Sequence, residues 1–425
     1  MVGIAKIKNV QLLKSDVVKN FVALALVQIT NFIIPLITFP YLVRVIGLEK
    51  FGVISYGLTV LTYLIALVDY GFNLSATRHV ALNRDDPTKL SQLFSKVMTT
   101  KLTLLLVSTV MMVVFCSTIE RFQHESMAYL IGMLYVLGNT LMPVWFFQGL
   151  EQMKYITYTN VIAKVIQLIL LFLLVKSQQD YIFVLGSYGV ANILSGLYSI
   201  RLAINKYRMN LRIASLADIW EQLRDGWYFF SSNLALTIAN SATVLLLGFF
   251  VSNIEIGYYS VAEKIVFVAW TILGMFSQAI YPSVCRLAQG TYQQLRRFVW
   301  KTTLPLIGLT AAGCLFVYTF ADGFVYFIVG HYEPKTAYIL RFIIIVPFIV
   351  SLNIPAYQIL LAYDYKKEYA AVFNGSAVIN LILCTILVYV WGVIGAVSCM
   401  IVIQAIVTIS LHVLLAIKRK KLVHV

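Results

Sequence analysis

Charge is what this chain of 425 residues has least of: Asp, Glu, Lys and Arg make up only 12% of it, about half the share usual in soluble domains. No polar segment between its apolar runs is long enough to fold as a soluble domain. The five cysteines, Cys116, Cys285, Cys314, Cys384 and Cys399, are scattered in or beside those runs without a pairing pattern. Neither a disulfide framework nor a metal cluster is indicated. The five histidines, His79, His124, His331, His412 and His424, stand far apart, and there is no G-x-x-x-x-G-K-[ST] phosphate loop and no H-E-x-x-H. ATP hydrolysis within the chain is not expected, and no metal or cofactor is assigned.

What the chain has is hydrophobic length. Twelve apolar stretches can be read at 18–45, 51–72, 97–118, 127–148, 155–176, 182–204, 227–251, 258–281, 301–321, 336–362, 368–390 and 393–416. A hydrocarbon core about 30 Å thick takes roughly 20 helical residues to cross at about 1.5 Å per residue. The runs are too long and too continuously apolar for barrel strands of about ten alternating residues. The expected fold class is an all-α polytopic membrane protein of 12 transmembrane helices, arranged as two six-helix lobes around a central cavity.

Basic residues set the orientation. The N-terminus, the even-to-odd connections and the C-terminus carry 24 Lys and Arg, while the opposite side carries five: Arg44, Lys50, Arg121, Lys176 and Lys335. Positive residues stay inside during insertion, so both termini are expected in the cytoplasm. The net charge of +15 is then largely a topology signal and calls for no nucleic acid. The runs at 418–421 and Lys366–Lys367 read as anchors near anionic lipid. The first apolar run is too long for a signal peptide and is expected to remain as helix 1.

The chain also reads as two halves. At an offset of 205 residues Gly52 meets Gly257 and Ser55 meets Ser260; at 210, Gln148 falls opposite Gln358, each a few residues after a proline, Pro143 and Pro355. The expected division is an N-terminal lobe at 1–204, a basic cytoplasmic connection at 205–226 and a C-terminal lobe at 227–425. Even numbers of spans per half give repeats of the same orientation, able to rock about a central cavity.

Polar stripes at helical spacing mark the candidate lining: Asn233, Thr237, Asn240 and Ser241 on helix 7, Ser55, Thr59, Thr62 and Asp69 on helix 2, and Lys264, Thr271 and Gln278 on helix 8. Helix 5 adds Thr157, Asn160, Lys164 and Gln167, and helix 1 adds Gln28 and Asn31. Helix-to-helix hydrogen bonding, worth about 0.6 kcal/mol per contact, is the plainer reading of any single one; the set suggests a hydrated cavity lined by helices 1, 2, 7 and 8. Charges inside spans are more telling, since each costs about 2.5–3.5 kcal/mol at mid-bilayer. Arg44, Asp69, Lys164, Lys264 and Arg341 stand out, with Lys164 roughly 15 Å into helix 5 and Glu263 beside Lys264. The balance favours cations and suits an anionic cargo.

The strings "TFPYLVRVIGLEKFGVISY" at 38–56, "DYGFNLSAT" at 69–77, "WFFQGLEQMKYIT" at 145–157, "QAIYP" at 278–282 and "YKKE" at 365–368 carry a resemblance. They are similar to the O-antigen flippases of the polysaccharide transporter branch, within the multidrug/oligosaccharidyl-lipid/polysaccharide exporter superfamily. The resemblance spans all twelve helices. It implies a bacterial inner-membrane protein that moves an undecaprenyl-pyrophosphate-linked oligosaccharide from the cytoplasmic to the periplasmic leaflet. By motif, Arg44 matches the family's Arg after "PYL", Asp69 its acid before "YGFN", Gln148 the Gln after the aromatic triplet and Lys154 its basic residue after "QGLEQM". It carries over position more than role.

The expected substrate contacts are thus Arg44, Lys154, Lys164, Asn240, Lys264, Thr271, Gln278 and Arg341, with Asp69 and Glu263 as ion-coupling candidates. A wet groove removes the cost of stripping sugar hydroxyls of hydrogen bonds, about 2–7 kcal/mol each. A pyrophosphate would meet the cations while the polyprenyl tail stays in lipid. Outward movement of an anion gains about 2.3 kcal/mol per charge per 100 mV, and exchange of protons or Na⁺ would add to it. Expected partners are the lipid-linked oligosaccharide, membrane lipids, and polymerase and chain-length machinery. Two rivals remain: a multidrug exporter of organic cations, which a cationic lumen disfavours, and a membrane polysaccharide polymerase or ligase. For the latter the longest outer connection, about 14 residues at 322–335, offers only Asp322, His331 and Glu333.

Overall fold

The structure, a computed structural model, describes the backbone of residues 2–207, 209 and 212–422, and their side chains from Ile34 to Lys418 except at 239 and 240. Gln28, Asn31 and Asn240, expected on polar stripes, lie outside the described side chains. Every regular element among the described residues is helical: α1 Val2–Asp69, α2 Phe72–Leu82, α3 Pro87–Thr118, α4 Glu120–His124, α5 Ser126–Leu141, α6 Val144–Gly149, α7 Met153–Leu174, a 3₁₀ turn Gln178–Asp180, α8 Tyr181–Tyr207, α9 Leu216–Phe250, α10 Asn253–Leu287, α11 Tyr292–Thr319, α12 Ala321–Val329, α13 Pro334–Ile343, α14 Ile345–Ala362 and α15 Lys366–Leu422.

Nine helical stretches among the described residues are long and apolar enough to cross a membrane, or ten if the bent pair Leu216–Ile238 and Ser241–Phe250 counts as one. The chain is a multi-pass membrane protein. Two of the nine stretches contain a reversal. In α1 the rings of Phe39 and Phe51 lie 5.5 Å apart, although twelve positions along a straight helix separate residues by about 18 Å. The turn is at Gly47, φ 77° and ψ 167°. In α15 Lys418 Nζ reaches Glu368 Oε1 at 2.6 Å, where a straight helix would hold them about 75 Å apart. Gly392, φ 56° and ψ −131°, makes that turn. Glycine adopts these angles without the clash a Cβ would bring. The apolar pattern already divides at both places, between 45 and 51 and between 390 and 393.

The chain forms two compact units, Met1–Ile238 and Ala239–Val425. The border lies inside α9, beyond the 205–226 connection, because the first turns of α9 are bound to α2 and α3. Lys96 Nζ stands 2.8 Å from Asp218 and 3.0 Å from Glu221, His79 Nε2 is 3.0 Å from Asp225, and Tyr70 stacks on Phe230 at 4.5 Å.

In the first unit α3 starts ten residues before the apolar run at 97. Asp86 caps it, accepting from the backbone N–H of Thr88 and Lys89, with Pro87 in the first turn; such a cap contributes about 1 kcal/mol. The same bonds, that of Lys89 foremost, hold the Asp86 carboxyl below the usual carboxylate range. The run at 127–148 is broken into α5 and α6. Met142, forced to ψ 107° by the proline after it, ends α5. Helices α5 and α8 pack at backbone distance: a Cβ on Gly189 would lie 2.4 Å from that of Leu134, and one on Gly138 2.5 Å from that of Asn192. Small residues let membrane helices approach in this way. The outward face of α3, with Leu102, Leu106, Val110 and Val113, is exposed and apolar, as a lipid-facing stripe must be.

In the second unit Val284, Tyr292, Leu295, Val299 and Ile359 join α10, α11 and α14 in one buried cluster, and Ala356, Leu360, Val407 and Leu411 join α14 to α15. Gln358 fixes α14 on α10 by donating to the carbonyl oxygen of Ser277 at 2.8 Å and to its Oγ at 2.6 Å. The connection read at 322–335 is not an open loop, since α12 occupies most of it.

Candidate functional site

A cavity of about 270 Å³ lies within the first unit, between the ends of α1 and α2 and the middles of α5, α7 and α8. Its lining is mostly polar, with Met142, Val144 and Ala163 the apolar members. Asp69 and Asn73 reach it because the "DYGFN" segment makes a sharp turn. Tyr70 and Gly71 both adopt left-handed backbone, φ 44° and 75°, and a Cβ on Gly71 would fall 2.5 Å from the Cβ of Phe229. The turn places Asp69 at the last position of α1 and Asn73 in the first turn of α2.

From α5 and α8 come Tyr135 with Asn139 and Tyr188 with Asn192, two Tyr-x-x-x-Asn pairs on facing helices. Residues four apart share a helix face, so the close approach of α5 and α8 brings Tyr135 edge-on to Tyr188, ring centroids 5.6 Å apart and planes at 77°. Asn139 and Asn192 donate their amide nitrogens to the carbonyls of Tyr135 and Tyr188, at 3.3 and 2.8 Å. Asn160 of α7 does the same to Ile156 at 2.8 Å. With each NH₂ turned back on its own helix, the amide oxygens are left as acceptors for a ligand's hydroxyl groups.

Two ionic groups complete the cavity. Lys164 is half-buried on α7, its Nζ 6.0 Å from the centre of the Tyr188 ring, and among the described residues no carboxylate stands within 4.0 Å of it. Asp69 is tied elsewhere: Oδ1 accepts from Lys101 Nζ at 2.8 Å, with Lys101 only 1% exposed and Asp69 22%. Lys101 thus balances Asp69 and leaves Lys164 as the cavity's unmatched charge. Buried cations without a partner are costly, and a bound anion offsets that cost.

Of the residues expected from sequence, the cavity gathers Asp69, Asn160, Lys164 and Gln167. Arg44 and Lys154 belong to the same unit but lie outside the cavity and are exposed. Lys154 Nζ stands 5.2 Å from the Tyr155 ring. The others are in the second unit. Lys264 and Gln278 are exposed, and Thr271 donates to the Phe267 carbonyl at 2.8 Å. Glu263 accepts from the Tyr259 hydroxyl at 3.3 Å. Arg341 is not a free cation: it donates to Asp322 of α12 at 2.5 Å. Sequence reasoning missed Lys101 and the two Tyr-x-x-x-Asn pairs. The signals were there: Lys101 falls on the stripe of Phe94, Val97, Leu104, Ser108 and Met112, all buried, and the pair recurs in "YVLGN" and "YGVAN".

Solved structures share this architecture. The chain superposes with an inward-facing multidrug resistance MATE family transporter of the MOP superfamily over 95% of its length and 98% of that chain, with a TM-score of 0.65 at 14% identity. With the lipid II flippase MurJ in an inward closed conformation it does so over 93% of its length and 86% of that chain, with a TM-score of 0.69 at 13% identity. The fold is therefore that of the MOP superfamily transporters. The sequence pattern of the family described as "Polysaccharide biosynthesis protein" matches residues 17–288, and the chain belongs to that family. Two relatives are each named "Putative O-antigen transporter". The one from Escherichia coli (strain K12) is 27% identical over 393 residues, 92% of this chain and 94% of its own. The one from Shigella dysenteriae is 27% identical over 387 residues, 89% and 95%.

Proposed function

We propose that this protein is a flippase for lipid-linked oligosaccharide, of the O-antigen kind carried on undecaprenyl pyrophosphate, and that it moves its cargo from the cytoplasmic to the periplasmic leaflet of a bacterial inner membrane. It does so by alternating access of two six-helix lobes, 1–204 and 227–425, joined by the 205–226 connection, with both termini cytoplasmic. Membership of a polysaccharide biosynthesis family, the names of its relatives and the transporter fold support the class of cargo. The observation that carries the reading is Lys164, a cation without a carboxylate partner among the described residues in a cavity of amide oxygens and phenols. An organic cation would be repelled there. A phosphate would be attracted, by roughly 4 kcal/mol per unit-charge pair at about 4 Å and an effective dielectric near 20.

The cavity's 270 Å³ falls below the roughly 300–1,000 Å³ of sites that enclose a drug-sized ligand. It takes one sugar ring or one phosphate group, so the rest of the repeat unit and the polyprenyl tail stay outside it. The membrane potential favours outward movement of the anion, and proton or Na⁺ exchange at Asp69 or Glu263 supplements it. Arg44, Lys154, Asn240, Lys264, Thr271, Gln278 and Arg341 remain proposed contacts along the path, with polymerase and chain-length proteins as the next handlers of the product. The test is export by Lys164 variants: Lys164→Ala should cut surface polysaccharide about tenfold or more, and Lys164→Arg should retain more because the charge is kept while the shape differs. Normal surface polysaccharide with Lys164→Ala would sink the proposal.

A further inference from the structure

At one end of α7 and α8, outside the cavity, two lysines share a tyrosine. Lys206, one residue before the end of α8, donates from Nζ to the Tyr155 hydroxyl at 2.5 Å and stands 4.6 Å from the centre of that ring. Lys154, in the first turn of α7, stands 5.2 Å from the same centre. The two ammonium groups are therefore within about 10 Å of each other, and among the described residues neither has a carboxylate within 4.0 Å. The nearest acid in sequence, Glu151, is turned to Arg84 at 3.9 Å.

The platform under them is packed against buried rings. Tyr155 packs on Phe147 at 5.4 Å, Tyr207 packs edge-on against Phe146 at 5.4 Å, and both phenylalanines are buried in α6. Lys206 also lies 5.6 Å from the Tyr207 ring. Like charges held over one aromatic ring repel each other, and an anion between them removes that repulsion and gains charge-assisted hydrogen bonds. The Tyr155 hydroxyl accepts from Lys206 and so keeps its own proton to donate. Lys164 is ten positions further along α7, about 15 Å into the bundle.

We propose that Lys154, Lys206 and the Tyr155 hydroxyl form a surface phosphate site that receives the phosphate-bearing headgroup of an amphiphile before it enters the helical bundle. This rests on the transport reading above and adds an entry step to it. The chemistry recognised, a phosphate or pyrophosphate, is shared by a lipid headgroup and by the free ion, and the test separates the two.

The chain of 425 residues in phosphatidylcholine nanodiscs is titrated with a fluorescent long-chain isoprenyl pyrophosphate, with inorganic pyrophosphate as competitor and the corresponding isoprenyl alcohol as the phosphate-free probe. The double variant Lys154→Gln, Lys206→Gln should bind the pyrophosphate lipid at least tenfold more weakly and the alcohol as well as the parent does, while Lys206→Arg should stay within about threefold. Competition by inorganic pyrophosphate means the site takes the free ion as well; no competition means it takes the headgroup only in lipid. Unchanged binding by the double variant, or an equal loss for the alcohol, overturns the site. If Lys164→Ala exported normally while the double variant lost binding, the transport reading would fall and this site would stand.

Discussion

Removing Lys101 should do more damage than removing its partner with it. Lys101 is 1% exposed, Asp69 is 22% exposed, and their atoms are 2.8 Å apart. At that distance and an effective dielectric near 20 the attraction is about 6 kcal/mol before desolvation is counted. Lys101→Met strands the Asp69 carboxylate, and breaking a buried pair in this way costs about 3–5 kcal/mol. Asp69 also lines the cavity and keeps 22% of its side chain exposed, which relieves part of the loss, so the expected cost lies near the lower end, about 3 kcal/mol. The double variant Lys101→Met, Asp69→Asn leaves two neutral groups and should recover at least about 2 kcal/mol of it. Reversible denaturant unfolding in bicelles, run as a double-mutant cycle, gives the coupling. A value under about 0.5 kcal/mol would show that the pair does not balance charge in the way the geometry requires. Surface polysaccharide in the stable double variant then separates two roles of Asp69: export persists if the carboxylate serves only to neutralise Lys101, and is lost if it also carries a coupling ion.

Cysteines placed at Ser215 and Gln293, both exposed, in a cysteine-free background should resist an impermeant thiol reagent until cells are opened; labelling in intact cells would reverse the proposed topology. Gln358→Leu removes both bonds from α14 to Ser277 and should cost about 1–3 kcal/mol, readable as a lower melting temperature in detergent, and an unshifted melt would mean the network is replaced by water. Asn160→Leu should lower export without lowering expression, since its only bond recorded among the described residues is to its own helix, and equal export would argue that the amide oxygen meets no ligand.

Much of this was legible in the sequence, for a definite reason. Hydrocarbon thickness imposes length on every span, so apolar runs betray helices even without caps or partners, and the reversals at Gly47 and Gly392 fall where the runs divide. Lys164 was legible because a lysine so far into a span is costly, and Asn160 and Gln167 because they repeat its face. Lys101 was not, because the apolar run hides where α3 begins: measured from residue 97 it sits near the membrane surface, but measured from the Asp86 cap it lies fifteen positions along the helix. Nor could periodicity say that Asp69 turns toward Lys101 and Arg341 toward Asp322. Pairing depends on which helix stands opposite, and no single stripe carries that information. The same limit explains why the polar stripe of helix 5 was visible while the cavity it joins, enclosed by α5 and α8 within one unit, was not.

That enclosure depends on the close contacts at Gly138 and Gly189, and the dependence on Gly189 can be tested. Tyr188 and Asn192 flank Gly189 on α8, and Tyr135 follows Leu134 on α5, so the contact that joins the helices also sets the cavity's width. A Cβ on Gly189 would sit 2.4 Å from the Leu134 Cβ and 2.9 Å from its carbonyl carbon. Rotation of a side chain cannot relieve a clash with backbone, so the helices must part, at about 1–3 kcal/mol for one added methyl group. Separation would draw Tyr135 away from Tyr188 and Asn139 away from Asn192, opening the cavity around Lys164. Gly186, one turn earlier, is the control: its Cβ would meet only the Ile131 side chain, at 3.3 Å, which a small shift accommodates. Gly189→Ala should therefore lower both the melting temperature and export, with export falling further than stability explains, while Gly186→Ala changes each little. Equal export and equal melting for the two variants would show that α5 and α8 have slack at this contact and that the cavity's width is set elsewhere.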